Sequence, residues 1–414
     1  MEPNTVTFDR RQIYRPFLER LNTTSPGVLE AQNLIVPPEH DPRDPDQPPI
    51  HVAFANTAEL SRGAQMALVG GIGSGKTTEL QLTLKLLKRH ADAINIYLDL
   101  AELTDLNELN PGAILIAIGI QLHHKLKKGD KQGADIKVAY QKLQELAKGK
   151  TNWVPSHEYD PNADEWEAPD LVAVHTPGLL KPRFPAMQRD VMEVQNLVLQ
   201  AAMPLLDSEA QITVLIDGLD RLIRPERFRE FAEQDLRALR ETKVSVVVAT
   251  PLSLWFDKSR FLQDCFDDVK HIPAAISDPK KSDFLKQVLL RRGAAELMGE
   301  KDISGMARFS GGVLRDLITL ARTSAEAAYR EDQDRIGFPH VRSAVRQLGK
   351  RYLVGIGKVQ RRRIQQLMDN EEFSIDDPIA RELVINRQVL EYFNNGRDFF
   401  AVHPALVEVL AEPA

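Results

Sequence analysis

The chain has 414 residues, of which 43% are hydrophobic and 27% charged, and its formal net charge at pH 7 is -6. This composition describes a globular protein long enough for two or three domains. The single cysteine, Cys265, excludes a disulfide framework and is expected to be a small core residue rather than a nucleophile. The acidic balance excludes a global attraction to nucleic acid, so any such contact requires a local basic patch.

The N-terminus and the apolar runs give no signal for secretion or membrane insertion. The first residues, MEPNTVTFDRR, lack the basic-then-apolar order of a signal peptide. The longest apolar run, residues 113–120, is too short to span a bilayer and indicates a buried helix. We therefore expect a cytoplasmic protein without membrane contact.

Residues 1–50 are predicted to hold one helix, over 7–22, and an extended lead-in. Seven prolines fall between positions 26 and 49. Prolines at this density punctuate the chain and favour extended backbone. We therefore expect the lead-in to pack on a larger body rather than to form a core of its own.

The strongest motif spans residues 66–80, MALVGGIGSGKTTEL, in which a short apolar strand meets the pattern G-x-x-x-x-G-K-[ST]. Glycines let the backbone curl until its N–H groups point at phosphate oxygens, and the helix that follows adds its positive dipole end. Lys76 would reach the β- and γ-phosphates, and the Thr77 hydroxyl would bind Mg²⁺. The alternative is a glycine turn with a surface lysine. The predicted nucleotide-binding residues are Gly70, Gly71, Gly73, Ser74, Gly75, Lys76, Thr77 and Thr78.

An ATP-binding core is predicted over residues 51–275. Buried strands are expected at 93–100, 211–217, 242–250 and 269–272, with helices at 112–127 and 187–206. Between residues 128 and 185 the periodicity degrades, which indicates a long surface insertion. It could cover a partner site or be a plain loop.

Three polar residues follow these strands and are candidates for chemistry. Asp217 ends an apolar strand, where it would share the Mg²⁺ with Thr77; the alternative is a strand-end cap. Asp220 is the nearest candidate for a second carboxylate that orients and deprotonates water, or it is a helix N-cap. Thr250 could sense the γ-phosphate or position water, or it caps a helix before Pro251.

Residues 276–333 are helical throughout and are predicted to form a lid. The third lid helix begins after Gly311 and Gly312, with Arg315 in its first turn. An arginine placed there could bring a cation to the bound phosphates. A surface arginine would show the same local pattern.

Residues 334–414 are predicted to form a winged-helix-like domain. Helices are followed by a hairpin over 389–402, whose turn is the strong signal Asn394-Asn395-Gly396. Residues 335–367 hold nine Lys or Arg and no Asp or Glu. The stretch 335–368 could contact the phosphates of duplex DNA together with the hairpin, or it could be a solvated or subunit-facing surface.

Taken together, the motifs resemble those of the AAA+ and STAND branches of P-loop ATPases. The resemblance rests on Walker A at 70–77, Walker B at 212–220, sensor 1 at Thr250, a Ser-Arg box at 259–261 and sensor 2 at 312–315. It implies an α/β fold with a three-layer parallel-sheet P-loop core, a helical lid and a C-terminal winged helix, as in origin-recognition initiators and many STAND switches. It also implies that Arg260 is an arginine finger, completing the site of a neighbouring subunit.

Two departures from the family pattern indicate slow hydrolysis. Gly218 stands where AAA+ proteins place an acidic residue, and Arg221 stands where STAND proteins carry a further acid. The resemblance therefore implies an ATP- and Mg²⁺-dependent switch that forms homo-oligomers with ATP and engages a protein partner, in bacterial signalling or defence. The alternatives are a DNA-binding initiator or loader and an inactive nucleotide-binding scaffold.

Overall fold

A computed structural model describes residues 9–22, 29, 31–90, 92–106, 110–155, 171–177, 191–208, 210–222, 224–276, 284–369 and 373–411. The strands are β1 (Gln65–Gly70), β2 (Ile94–Asp99), β3 (Gly149–Pro155), β4 (Leu171–Pro177), β5 (Ile212–Asp217), β6 (Ser245–Thr250), β7 (Asp268–Ile272), β8 (Val389–Asn394) and β9 (Arg397–Val402). The helices before β7 are α1 (Arg11–Asn22), α2 (Ile50–Leu60), α3 (Lys76–Leu87), α4 (Leu100–Leu103), α5 (Ala113–Lys125), α6 (Ala134–Lys148), α7 (Val191–Leu206), α8 (Pro225–Phe231), α9 (Arg237–Glu241) and α10 (Phe261–Cys265). The later helices are α11 (Phe284–Leu290), α12 (Ala294–Leu297), α13 (Glu300–Phe309), α14 (Leu314–Arg330), α15 (Phe338–Leu353), α16 (Lys358–Met368), α17 (Pro378–Ile385) and α18 (Pro404–Leu410).

The core is a five-stranded parallel sheet in the order β2-β5-β6-β1-β7. Strands β1, β5 and β6 are buried along their whole length, as expected for central strands covered on both faces. Because all five strands run the same way, their carboxyl ends meet at one edge of the sheet. The predicted α/β P-loop fold is confirmed.

Successive side chains of the central strands point to opposite faces of the sheet and pack against two separate helical layers. On one face, Met66 and Leu68 of β1 pack in a cluster with residues of α2 and α3. On the other face, Ala67 and Val69 join the larger cluster that contains α5, α6 and α7. Helix, sheet and helix therefore form the predicted three layers.

The predicted insertion at 128–185 begins too early. Residues 134–148 form α6, and its Ile136, Ala139 and Leu143 are buried in the main core. The insertion proper starts with the antiparallel pair β3 and β4. Residues 156–170 and 178–190, which make up most of its predicted irregular part, lie outside the described residues.

The N-terminal helix belongs to the lid rather than to a separate N-terminal unit. Tyr14, Phe17 and Leu21 of α1 are buried in the same hydrophobic cluster as Leu317 of α14. The first part of the helical stretch predicted for the lid forms two helices, α11 and α12, because Gly293 adopts a left-handed φ of 92° between them. Residues 277–283 of that stretch lie outside the described residues.

The C-terminal residues form helices α15 to α17, the hairpin β8–β9 and the closing helix α18, an arrangement compatible with a winged helix. Apolar residues of this domain share one continuous cluster with the lid. The hairpin packs back on the core, because the Ala274 N–H after β7 donates to the Glu391 carbonyl oxygen at 2.9 Å. Among the described residues, no helix has the length and apolarity needed to cross a bilayer.

Candidate functional site

The loop between β1 and α3 has the backbone of a phosphate cradle. Gly73 and Gly75 have φ values of 86° and 110°, a left-handed region that other residues rarely adopt. A Cβ on Gly70 would lie 2.6 Å from the Ser74 hydroxyl oxygen, so this turn is too tight for a side chain. Within the described part of the chain, that hydroxyl oxygen is buried and has no hydrogen-bond partner. An unpaired buried hydroxyl beside a glycine cradle fits a phosphate ligand.

Lys76 lies in the first turn of α3 and is only 3% exposed. Its Nζ donates to the carbonyl oxygens of Gly70 and Gly71 at 2.7 and 2.8 Å, and it pairs with Asp220 Oδ2 at 2.9 Å. Burial lowers the pKa of Lys76, while the charge of Asp220 opposes that change. The three contacts aim the ammonium group along the inner side of the cradle.

Asp220 is not a helix N-cap. It lies within the 3₁₀ turn Leu219–Arg221, and the next helix, α8, is preceded by Arg224 without a side-chain cap. Its carboxylate is instead the counter-ion of Lys76. Asp220 therefore lies beside the cradle, where its carboxylate forms an ion pair with Lys76.

Asp217 and Thr77 meet at the end of β5. The Thr77 hydroxyl donates to Asp217 Oδ2 at 2.6 Å, the Tyr97 hydroxyl donates to the same oxygen at 2.8 Å, and the Gly218 N–H donates to Oδ1 at 2.8 Å. A hydroxyl and a carboxylate are oxygen ligands of the kind that Mg²⁺ prefers, with phosphate oxygens and water completing its shell. The pair expected to hold Mg²⁺ is thus brought together at the correct edge. Thr78 follows Thr77 in the same turn of α3.

Tyr97 was not predicted from the sequence. It lies on β2, and its contact with Asp217 exists because β2 and β5 are neighbours in the sheet. Burial and the charge of Asp217 raise the pKa of Tyr97, so the phenol stays protonated and remains a donor. The alternation of β2 points Tyr97 to one face, but only the strand order reveals its partner.

Thr250 neither caps a helix nor points into the cradle in this structure. It is fully buried, and its hydroxyl donates to the Leu68 carbonyl oxygen at 3.4 Å. The short 3₁₀ turn after it is preceded by Pro251 and has no side-chain cap. The residue does lie beside the start of the cradle, since Thr250 pairs with Val69 in the sheet.

The lid touches the cradle through Arg315. Its backbone N–H donates to the Gly73 carbonyl oxygen at 3.3 Å, and a Cβ on Gly73 would lie 2.6 Å from the Cβ of Arg315. The side chain lines a cleft of about 540 Å³ together with Arg351 and Arg387. Burial, Arg387 and Arg221 lower the pKa of Arg315, so its environment disfavours the cation and would gain from an anion.

Arg260 is not brought together with the cradle residues. It is exposed, has a left-handed φ of 55° and immediately precedes α10. Within the described ranges, its guanidinium has no hydrogen bond or ion pair. Its neighbour Ser259 bonds to Arg229, which also pairs with Asp257. An exposed, unpaired arginine held at a helix start is available to a second molecule.

A second cluster of side chains, not predicted from the sequence, joins the lead-in, the core and the hairpin. We call it the wing latch; its members are Arg43, Trp255, His271, Glu391 and Asp398. Arg43 pairs with Glu391 at 3.3 Å and with Asp398 at 2.7 Å, and it bonds to His271 Nδ1 at 2.9 Å. Trp255 stacks on His271 with ring centroids 4.5 Å apart. Burial raises the pKa of Glu391 to about 7 and lowers that of His271 to about 3.

Comparison with protein-family models gives no match, and no curated protein is similar to the chain. Solved structures similar to it include Drosophila ORC bound to DNA, with 12% identity and a TM-score of 0.44 over 99% of this chain and 93% of that one. Cdc6p from Pyrobaculum aerophilum has 12% identity and a TM-score of 0.44, covering 95% and 96% of the two chains. The Thermotoga maritima RuvB branch migration motor has 13% identity and a TM-score of 0.38, covering 81% and 79%. At these identities the likeness is one of fold alone.

Proposed function

We propose that the chain is an ATP-binding and slowly hydrolysing switch, whose nucleotide state controls its self-assembly and its engagement of a partner. The observation that carries this proposal is a pair of consecutive lid residues. Arg315 bonds to the cradle at Gly73, and Asp316 bonds to the C-terminal domain. A displacement of the cradle or of its ligand is therefore passed to that domain within one helical turn.

The contacts of Asp316 are strong enough for this coupling. Its carboxylate is buried, accepts a 2.5 Å hydrogen bond from the Tyr352 hydroxyl, and lies 3.4 Å from both Arg387 and His403. Burial alone would raise the pKa of Asp316, but these three partners hold it below its usual value. The ionised Asp316 side chain thus links α14 to the C-terminal domain through charge-assisted contacts.

In the proposed reaction, the chain binds and orients the triphosphate of ATP. Ser74, Lys76 and the cradle N–H groups would bind phosphate oxygens, and Thr77 with Asp217 would hold Mg²⁺, which would neutralise charge on the triphosphate when bound. Arg315 would approach the phosphates from the lid, and Arg260 of a second copy would supply a further cation. Gly218 itself offers no carboxylate beside Asp217, and turnover is therefore slow unless another residue supplies one.

Light scattering of the intact protein tests the switch. We expect a larger mass with a non-hydrolysable ATP analogue and Mg²⁺ than with ADP, and loss of the difference in Arg260→Ala. Arg237→Ala is the matched control, since Arg237 is also an exposed arginine of the core, and within the described ranges its guanidinium likewise forms no hydrogen bond or ion pair. Equal masses with both nucleotides would contradict the proposal.

A second candidate function is duplex DNA binding, and exposed cations of the C-terminal domain favour it. Arg346, Lys350 and Arg351 on α15 are exposed, as are Arg361 and Arg362 on α16. Helix α17 and the hairpin, by contrast, face the core: α17 packs near the turn Leu252–Leu254, and the hairpin is held by the wing latch. DNA would therefore meet the two basic helices rather than the hairpin.

Charge reversal separates this candidate from the first. Arg361→Glu with Arg362→Glu should abolish duplex binding and its steep salt dependence while ATP affinity stays intact. Arg363 is left unchanged, because it pairs with Asp377 at 3.4 Å and lies over the Phe373 ring, so replacing it would change contacts within the C-terminal domain as well as the surface charge. Wild-type protein that ignores duplex DNA at low salt would exclude this function.

A further inference from the structure

Gly218 has no side chain beside Asp217, and the carboxylate of Asp99 lies next to this position. Gly218 has a φ of 93°, and a Cβ at this position would lie 2.9 Å from Asp99 Oδ1 and 3.1 Å from the Ala101 nitrogen. A side chain is thus excluded here by both backbone conformation and space. The atom in its place is a carboxylate oxygen from the neighbouring strand.

The sheet puts Asp99 there by register. Strands β2 and β5 are parallel neighbours, and Asp99 pairs with Asp217 at their carboxyl ends. These ends form the edge on which the cradle opens, since β1 runs in the same direction two strands away. Two carboxylates therefore stand side by side at this edge, and the hydroxyls of Thr77 and Tyr97 bond to Asp217.

We propose that Asp99 is the carboxylate that accepts a proton from the water attacking ATP, a role that rests on the ATPase activity proposed above. The water oxygen bonds to the γ-phosphorus as the bond to the bridging oxygen of ADP breaks, and that oxygen keeps the electron pair. Asp99 takes one proton from the water and then releases it to the phosphate product or to solvent. Products are ADP and inorganic phosphate, and no other reactant is needed.

Asp220 is less suited to this task than Asp99. Its carboxylate is engaged by Lys76 at 2.9 Å, and an adjacent cation makes a carboxylate a weaker base. Asp99 is half-buried, and among the described residues its carboxylate forms no ion pair. Its Oδ1 accepts the Ala101 N–H, and Oδ2 has no hydrogen bond within the described ranges, so an oxygen is left to accept a proton from water.

Asp99 also has a structural role, which the test must separate from catalysis. Its Oδ1 accepts the Ala101 N–H at 3.0 Å and so caps the short helix α4. Asparagine caps helices as well as aspartate does, but its amide does not accept a proton from water. Asp99→Asn therefore keeps the cap and removes the base.

The matched control is Asp377→Asn. Asp377 caps α17 through the same contact, its carboxylate accepting the Ile379 N–H at 3.0 Å, but it lies in the C-terminal domain. We expect Asp99→Asn to lower the rate of hydrolysis at least about 100-fold, the range by which a general base accelerates a reaction. Asp377→Asn should leave the rate unchanged, and Asp99→Glu should restore part of it.

The second readout is the nucleotide that stays bound. After incubation with ATP and Mg²⁺ and removal of free nucleotide, Asp99→Asn should retain ATP, whereas wild type and Asp377→Asn should retain ADP. In Asp99→Asn, the affinity for a fluorescent ATP analogue and the melting temperature should match wild type.

Hydrolysis by Asp99→Asn at the wild-type rate would overturn the assignment. Loss of hydrolysis in Asp220→Asn while Asp99→Asn stays active would overturn it as well. Wild-type protein that binds ATP without hydrolysing it would refute Asp99 as a base but not the cradle. Failure to bind ATP at all would refute the proposed function itself.

Discussion

Replacing Arg43 by methionine should release the hairpin from the core. Methionine retains the apolar length of the side chain and removes the guanidinium, which joins three elements distant in sequence. The Ala274 amide, which donates to the Glu391 carbonyl oxygen, is the natural reporter because it bridges the core and the hairpin. We expect the C-terminal domain to detach locally while the parallel sheet stays folded.

The expected free energy comes from four contacts of Arg43. An unpaired, charged Glu391 would cost about 3–5 kcal/mol. Because the pKa of Glu391 is near 7, the carboxyl can protonate instead, and we take about 2 kcal/mol. The pair with Asp398, whose side chain is 39% exposed, adds roughly 0.5 kcal/mol, and the contacts over Trp255 and Phe393 add roughly 0.5 kcal/mol each. Detachment should therefore become easier by about 3.5 kcal/mol.

Hydrogen exchange measures this directly. A change of about 3.5 kcal/mol corresponds to exchange at Ala274 roughly 300-fold faster in Arg43→Met than in wild type. Arg237→Met is the control, since that arginine is exposed on the core, away from the wing latch. Equal exchange at Ala274 in wild type and Arg43→Met would refute the latch. A general acceleration across β1 and β5 would show that the whole fold is affected instead.

Three further outcomes can be measured on the same protein. Gly312→Ala should cost more than about 2 kcal/mol in thermal unfolding, because its Cβ would lie 1.9 Å from the Ala275 carbonyl oxygen at a φ of 82°, whereas Gly305→Ala within a helix, with open space around it, should gain up to about 1 kcal/mol. The pKa of Glu391 is about 7 in the folded protein and about 4.5 in the unfolded chain, so the free energy of unfolding falls as pH rises through this window. The stability of Glu391→Gln relative to wild type should therefore increase by up to about 3 kcal/mol between pH 5 and 8. A difference that stays constant with pH would contradict this prediction. Lys76→Ala should abolish the rise in melting temperature with Mg²⁺ and ATP, which at a hundredfold excess over Kd is worth about 2.7 kcal/mol in wild type; an unchanged rise would exclude Lys76 from the site.

The cradle and the central sheet could be predicted from the sequence because their requirements are local. Gly73 and Gly75 must adopt positive φ, and the strands β1, β5 and β6 are largely apolar runs that end at Gly70, Asp217 and Thr250. Each of these signals is complete within about fifteen residues. The motif therefore predicted the cradle, and strand direction predicted that Asp217 lies beside it.

The partners of the cradle residues could not be predicted in the same way. Tyr97 and Asp99 reach Asp217 only because β2 lies next to β5, and strand order is not encoded in either strand alone. The rotamer of Thr250, which directs its hydroxyl to β1, likewise depends on the packed neighbour. Arg43 lies in a proline-rich stretch without periodicity, so nothing near it in sequence indicates its contacts.

Domain boundaries were misplaced where a helix packs far from its neighbours in sequence. Helix α6 has its buried residues at helical spacing, but the long irregular stretch that follows it concealed the pattern. Helix α1 was assigned to a separate N-terminal unit because the prolines after it resemble a linker. In both cases the local sequence indicates the helix, but it does not indicate which distant residues the helix packs against.

The position of α1 has a consequence for how the protein is made. The Tyr14 hydroxyl donates to the Gln333 carbonyl oxygen, across 319 residues of chain. During synthesis, the aromatic face of α1 leaves the ribosome long before the helices that bury it exist. The nascent chain must therefore keep an apolar helix in water while the parallel sheet is completed, and the lid can close only after residue 333 has been synthesised. Contacts of such long range make folding slow, and they make the first helix a natural point of recognition for chaperones.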